Sequence, residues 1–109
     1  MPKFVTIGFG DQAGYDRTDE TVRNQAHAAD ARLAASGTVM GQAARPVQVR
    51  NHDDAKVEVS DGPYSRSELP VAGFAIIEAA DLDAAIAIAA KNPCAVAHGV
   101  VEIWPIKDS

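Results

Sequence analysis

The sequence predicts an α+β fold, an antiparallel sheet with two helices on one of its faces. Three observations carry this. Short stretches of alternating or wholly apolar residues recur along the chain. Two stretches with helical spacing stand far apart, at residues 19–36 and 82–91. The elements then read β-α-β-β-β-β-α-β, an order that suits an antiparallel sheet covered by helices on one side.

The first strand spans residues 3–9, with Val5, Ile7 and Phe9 on one face and Phe4, Thr6 and Gly8 on the other. Residues 10–17 read as a polar connection in which Tyr15 is the only bulky side chain. Thr18 is placed to cap a helix whose first turn holds Asp19 and Glu20, where the helix dipole favours acids. Val22, Ala26, Ala29 and Leu33 form its apolar stripe, and Gly37 stops it. Thr38-Val39-Met40 begins a second strand, and residues 47–60 read as a hairpin turning at Asn51-His52-Asp53-Asp54. Residues 61–71 form a loop, and 72–78 form the most apolar strand. Asp81 caps the second helix, 82–91, which ends before Pro93. The last strand runs from Val100 to Trp104 and is closed by Pro105. This is a sandwich of the ferredoxin-like kind. Strands 72–78 and 100–104 are apolar on both faces, so the face without helices needs a cover, and a second copy of the chain is the simplest one. A homodimer is expected.

Composition bounds the function. At 109 residues the chain forms a single domain, 1–109. The ten Lys and Arg are scattered among fifteen Asp and Glu, for a net charge of -5. That excludes a nucleic-acid binder and disfavours an anionic membrane surface. No run of eighteen apolar residues exists and the N-terminus lacks a signal-peptide layout, so a cytoplasmic protein is expected. Cys94 is the only cysteine, which fits a reducing compartment, and it reads as a small buried filler. Neither His52 nor His98 has a partner at ligand spacing, and Asp53-Asp54 lacks the features of a calcium loop. Gly8-Phe9-Gly10 is no dinucleotide fingerprint, and no nucleophile elbow or P-loop is present. No cofactor and no metal is implied.

The most specified segment is the turn Ser60-Asp61-Gly62-Pro63-Tyr64, followed by the strand Ala72-Gly73-Phe74-Ala75-Ile76-Ile77. The Asp61-Gly62-Pro63-Tyr64 turn, Gly73-Phe74, Asp81-Leu82-Asp83-Ala84-Ala85 and the ending Pro93…Gly99-Val100-Val101-Glu102-Ile103-Trp104-Pro105 together resemble the YCII-related family in its DGPF branch. The resemblance spans nearly the whole chain and implies a ferredoxin-like dimer. It further implies small-molecule chemistry with a helix histidine and an aspartate before the later proline. For some DGPF members it implies association with an extracytoplasmic-function sigma factor. His27 falls where the helix histidine would lie, while the aspartate position holds Asn92 and Trp104 stands in place of an arginine.

His27 is therefore the candidate acid–base group, because an imidazole titrates near neutral pH. It lies about 120° from the Val22–Leu33 stripe, on the side of Arg23, Asn24 and Asp30. Asp61 either bonds its own turn or is a catalytic residue that orients His27 or abstracts a proton itself. Tyr64, Phe74 and Trp104 are candidates to line an apolar ligand pocket, or else belong to packing. Two functions follow as expectations: an enzyme or binding protein for a small molecule in a pocket near the dimer interface, or a non-catalytic interaction module tied to a sigma factor.

Overall fold

The computed structural model describes residues 1–108. In chain order the elements are β1 (Lys3–Phe9), α1 (Gln12–Arg17), α2 (Glu20–Ala35), β2 (Val39–Gln42), β3 (Val47–Arg50), β4 (Glu58–Asp61), β5 (Val71–Glu78), α3 (Leu82–Ala89), α4 (Pro93–Val96) and β6 (Val100–Pro105). A single 3-10 turn at His52–Asp54 joins β3 to β4. The fold is α+β, as expected, with a four-stranded antiparallel sheet in the order β2-β5-β1-β6 and a separate two-stranded sheet, β3-β4. Among the described residues no helix is long and apolar enough to cross a membrane.

β1 is the axis of the main sheet. Thr6 stands opposite Ala75 on β5 and Ile103 on β6, and Gly8 stands opposite Gly73 and Val101. Opposite residues share a face. One face therefore carries Phe4, Thr6, Ala75, Ile77 and Ile103, and it is the helix-covered one. Phe4, Ala75, Ile77, Ala79 and Ala85 form the buried cluster there, with Met40, Ala84 and Ile88 packed against it. The other face carries Val5, Ile7, Phe9, Phe74, Ile76, Val100 and Trp104, with Val39 opposite Ile76 on the outer strand. Phe74 and Trp104 are more than half exposed there. The alternation in β1 and β5 thus predicts both faces, and one of them is bare.

Four local details differ from the expectation. Residues 12–17 are a helix rather than a connection. Asp11 caps it by accepting the Gly14 N–H at 2.9 Å, but one and a half turns carry no apolar stripe, so periodicity is silent. Thr18 does not cap α2. Its hydroxyl donates to the Gly14 carbonyl at 2.9 Å and closes α1, while Asp19 caps α2 by accepting from the Thr21 N–H. α4 was not expected either. It is a single turn set by Asn92, whose Oδ1 accepts the Cys94 N–H at 2.8 Å, and by Pro93 at the first helical position. Finally, Val22 falls outside the packed side of α2. It is exposed, whereas Ala26 is buried and Ala29 and Leu33 are half-buried, as the stripe expects, and the packed side extends to the line Arg23, Ala26, Asp30 and Leu33. The spacing of three, four and three is as helical as the expected one, and it turns Asp30 inward.

The hairpin stands apart. β3 and β4 pair only with each other, with Val49 opposite Val59 and Val47 opposite Asp61. Gly62 adopts φ +91°, and its N–H donates to the Pro46 carbonyl at 3.0 Å. Gln48, not the Asp61 carboxylate, ties the turn down, donating to the Gly62 and Pro63 carbonyls at 3.2 and 3.4 Å.

One close approach fixes the last strand. A Cβ added at Gly99 would sit 2.1 Å from the Phe9 carbonyl oxygen and 2.6 Å from that of Cys94. Both are backbone atoms and neither can yield. Gly99→Ala is expected to cost about 2–3 kcal/mol in urea unfolding. Gly41→Ala, where the added Cβ meets nothing within 4 Å, should cost less than about 1 kcal/mol.

Candidate functional site

A cleft of about 530 Å³ opens between the helix layer and the covered face of the sheet. That size suits a small organic molecule. Its floor is the middle of the sheet: Thr6, Gly8, Gly73 and Ala75. The paired glycines leave the floor without side chains where the cleft is formed. α2 supplies His27 and Asp30 as one wall, and the Asn92–Cys94 turn supplies another. Tyr15, from α1, closes one end.

The polar groups converge. The Tyr15 hydroxyl and His27 Nε2 are 3.1 Å apart and hydrogen-bonded, and the two rings are tilted with centroids 5.8 Å apart. The Arg23 guanidinium lies over the Tyr15 ring, 4.5 Å from its centroid, a cation–π contact that holds the phenol in place. Asp30 follows His27 by three residues, so the two share a helix face. Its Oδ1 is buried and has no hydrogen-bond partner among the described residues. Burial pushes the Asp30 carboxyl above its ordinary range, and the nearby His27 pulls it partly back. Cys94 lies above Gly8, and burial, reinforced by the Asp30 charge, pushes its thiol up as well. A thiol of that kind stays protonated, though Cys94 is half-buried on the cleft lining rather than the fully buried filler expected.

Asn92 borders the same cleft. Its side chain is committed to capping α4, a task that Asn and Asp perform equally well. Its amide therefore brings no charge to the cleft, whose carboxylates are those of Asp11 and Asp30.

The other residues singled out in the sequence lie elsewhere. Asp61 is at the end of β4, exposed, with its carboxylate 4.0 Å from Arg45, an ion pair too exposed to contribute much. Tyr64 is 80% exposed beside the hairpin, with Arg50 over its ring at 5.9 Å. Neither residue borders the cleft that holds His27. Phe74 borders it through β5, while strand alternation turns its side chain to the bare face. Trp104 is on that bare face too, donating from its indole to Glu102 two residues away. The structure thus brings together His27, Tyr15 and Asp30. Asp30 was legible from its helical spacing to His27, whereas Tyr15 was not, because a six-residue helix leaves no periodic trace. Among the described residues no group of three His, Cys, Asp or Glu is placed to hold a metal.

Compared with known protein families, the sequence matches the YCII-related domain over residues 3–109. The chain belongs to the YCII-related family. A comparison with curated proteins finds no match. In this YCII-related domain the matched segment holds the whole cleft, from Thr6 to Ala97.

Two outcomes follow. The folded chain holds the Asp30 proton more tightly than the unfolded chain, so ionising Asp30 costs stability as pH rises through the carboxylate range. Asp30→Asn is expected to melt at a higher temperature than the parent at pH 7, with the advantage vanishing below the ordinary carboxyl value of 3.8. Alkylation of Cys94 by iodoacetamide should be slower than that of a free thiol at pH 8, with its pH midpoint displaced above 9.0.

Proposed function

We propose that this YCII-related domain binds a small, ring-bearing molecule in the cleft between α2 and the sheet, with His27 as its acid–base group. The observation that carries this reading is the Tyr15–His27 hydrogen bond at the wall of a 530 Å³ cleft. The phenol fixes the imidazole ring, and the free ring nitrogen is left to exchange a proton with a bound molecule. Met40, Pro93 and Ala97 on the lining supply apolar contact for a ring. Asp61, on its separate hairpin, faces Arg45 rather than His27 within one chain.

The reading includes a ferredoxin-like dimer of the DGPF branch. The strand order β2-β5-β1-β6, with α2 linking β1 to β2 and α3 with α4 linking β5 to β6, supports the fold. The bare face of Val5, Ile7, Phe9, Phe74, Ile76 and Trp104 supports the second copy. It is largely apolar across three strands, interrupted by Glu102 opposite Ile7. Isologous stacking of two such faces would cover both.

A second reading has its own observation. Val47, Val49 and Val59 form an exposed apolar face on a two-stranded hairpin that packs extensively on no other element. Such a hairpin is marginal alone. It suits an interaction module, and a sigma factor is the partner that the DGPF resemblance implies. Co-elution with a purified extracytoplasmic-function sigma factor would support it, and independent elution would count against it.

Two experiments test the main reading. In a ligand-stabilisation screen, a true ligand at 100 times its Kd should add about 2.7 kcal/mol to stability. His27→Gln and Tyr15→Phe should weaken that gain, while an unchanged gain in both variants would remove them from the site. In sedimentation, the parent chain is expected to run as a dimer at micromolar concentration and Phe74→Glu as a folded monomer. A monomeric parent would sink the dimer.

A further inference from the structure

We infer that the cleft selects an organic amine, and that Asp30 is the residue that receives its ammonium group. This deepens the small-molecule reading of the same cleft and rests on it. The first observation is the charge of the lining. Two carboxylates, Asp11 and Asp30, border the cleft, and no Lys or Arg does. An anionic ligand would find His27 as the one basic side chain of the lining, set against two carboxylates in a partly desolvated site.

The second observation is how the two carboxylates are used. Asp11 is spent on the first helix, where its Oδ1 accepts the Gly14 N–H at 2.9 Å. Asp30 is spent on nothing. No hydrogen-bond donor reaches it among the described residues, and its Oδ1 is buried without a partner. A half-buried carboxylate left in this state is costly, and a donor brought by a ligand relieves the cost. An ammonium group relieves it most, because hydrogen bonds between ionised partners are about twice as strong as neutral ones.

The third observation is what the neighbouring polar groups cannot do. The Thr6 hydroxyl donates to the Ala75 carbonyl, and the Asn92 carboxamide oxygen accepts the Cys94 N–H. The Tyr15 hydroxyl is bonded to His27. Each already has a protein partner, and among the carboxylates of the lining Asp30 is the one left without a hydrogen-bond donor. His27, three residues before Asp30 on the same helix face, then stands beside the amine's neighbouring atoms rather than on the amine itself.

The test uses the full chain, 15N-labelled, titrated separately with benzylamine, benzyl alcohol and benzoate. The amides of Gly8, Gly73 and Cys94 report on occupancy of the cleft. Benzylamine is expected to shift these amides and to bind at least about tenfold more tightly than benzoate, a difference of ~1.4 kcal/mol. Asp30→Asn, an isosteric change, should bring benzylamine down to the level of benzyl alcohol while leaving the alcohol unchanged. Benzoate binding as well as benzylamine would overturn the inference, as would an amine affinity that Asp30→Asn leaves intact. If the alcohol binds without any preference for the amine, only the amine inference falls. If none of the three probes moves the cleft amides, the ligand site itself falls with it.

Discussion

The architecture depends on one close approach, that of α4 to the central strand. Cys94 lies against Gly8, so near that a Cβ on Gly8 would sit 2.9 Å from its sulfur. The chain leaving α4 passes just as closely over Gly14, whose added Cβ would stand 2.4 Å from the Ala97 carbonyl oxygen. The Gly99 N–H then returns to the Cys94 carbonyl at 2.9 Å. These contacts fix the height of a single helical turn above the sheet. α2 packs on α4, so that height also sets where the wall carrying His27 and Asp30 stands. The cleft is the space that remains. It is held open by close contacts of the Cys94 side chain and of the backbone after α4, not by large side chains wedged between the layers.

A second consequence concerns the placement of charge. Asn92 and Asp30 border the same cleft, and the requirement that a residue cap α4 is met by an amide as well as by an acid. Here the amide meets it and brings no charge to the cleft. Asp30 brings one on α2, one helical turn from His27, where it is half-buried and unmatched. A carboxylate in that setting weakens the folded state and has no structural task that would explain it. Such groups collect at binding sites, where strain in the free protein is relieved by what it binds.

The core explains why the chain presents so much apolar surface. Its buried cluster is built largely of alanines around Phe4 and Ile77. Small residues on α3 let the helix lie close to the sheet, but they bury little area each. The larger side chains, Phe74, Ile76, Val100 and Trp104, face outward on the uncovered side, and the hairpin valines do the same on theirs. A domain of this size that leaves its bulkiest residues outside has divided its hydrophobic surface between folding and association.

The α+β class, the six strands, the helices α2 and α3, the two-faced character of β1 and β5 and the helix-stop at Gly37 are legible in the sequence, since all of these follow from residue periodicity and local turn chemistry, whereas α1 and α4 are not. The sequence also placed His27 on the polar side of α2. Periodicity leaves open whether Val22 or Arg23 begins the packed side of α2, because both lines are equally helical and share Ala26 and Leu33; packing in the folded chain exposes Val22 and half-buries Arg23 and Asp30. That choice turned Asp30 into the cleft. Tertiary structure also made α1 a helix, through a cap and a glycine contact that leave no period, and brought Tyr15 to His27. It set the Asp61-Gly62-Pro63-Tyr64 turn on a separate hairpin, held by Gln48, because short valine-rich strands specify pairing with each other but not where the pair will lie.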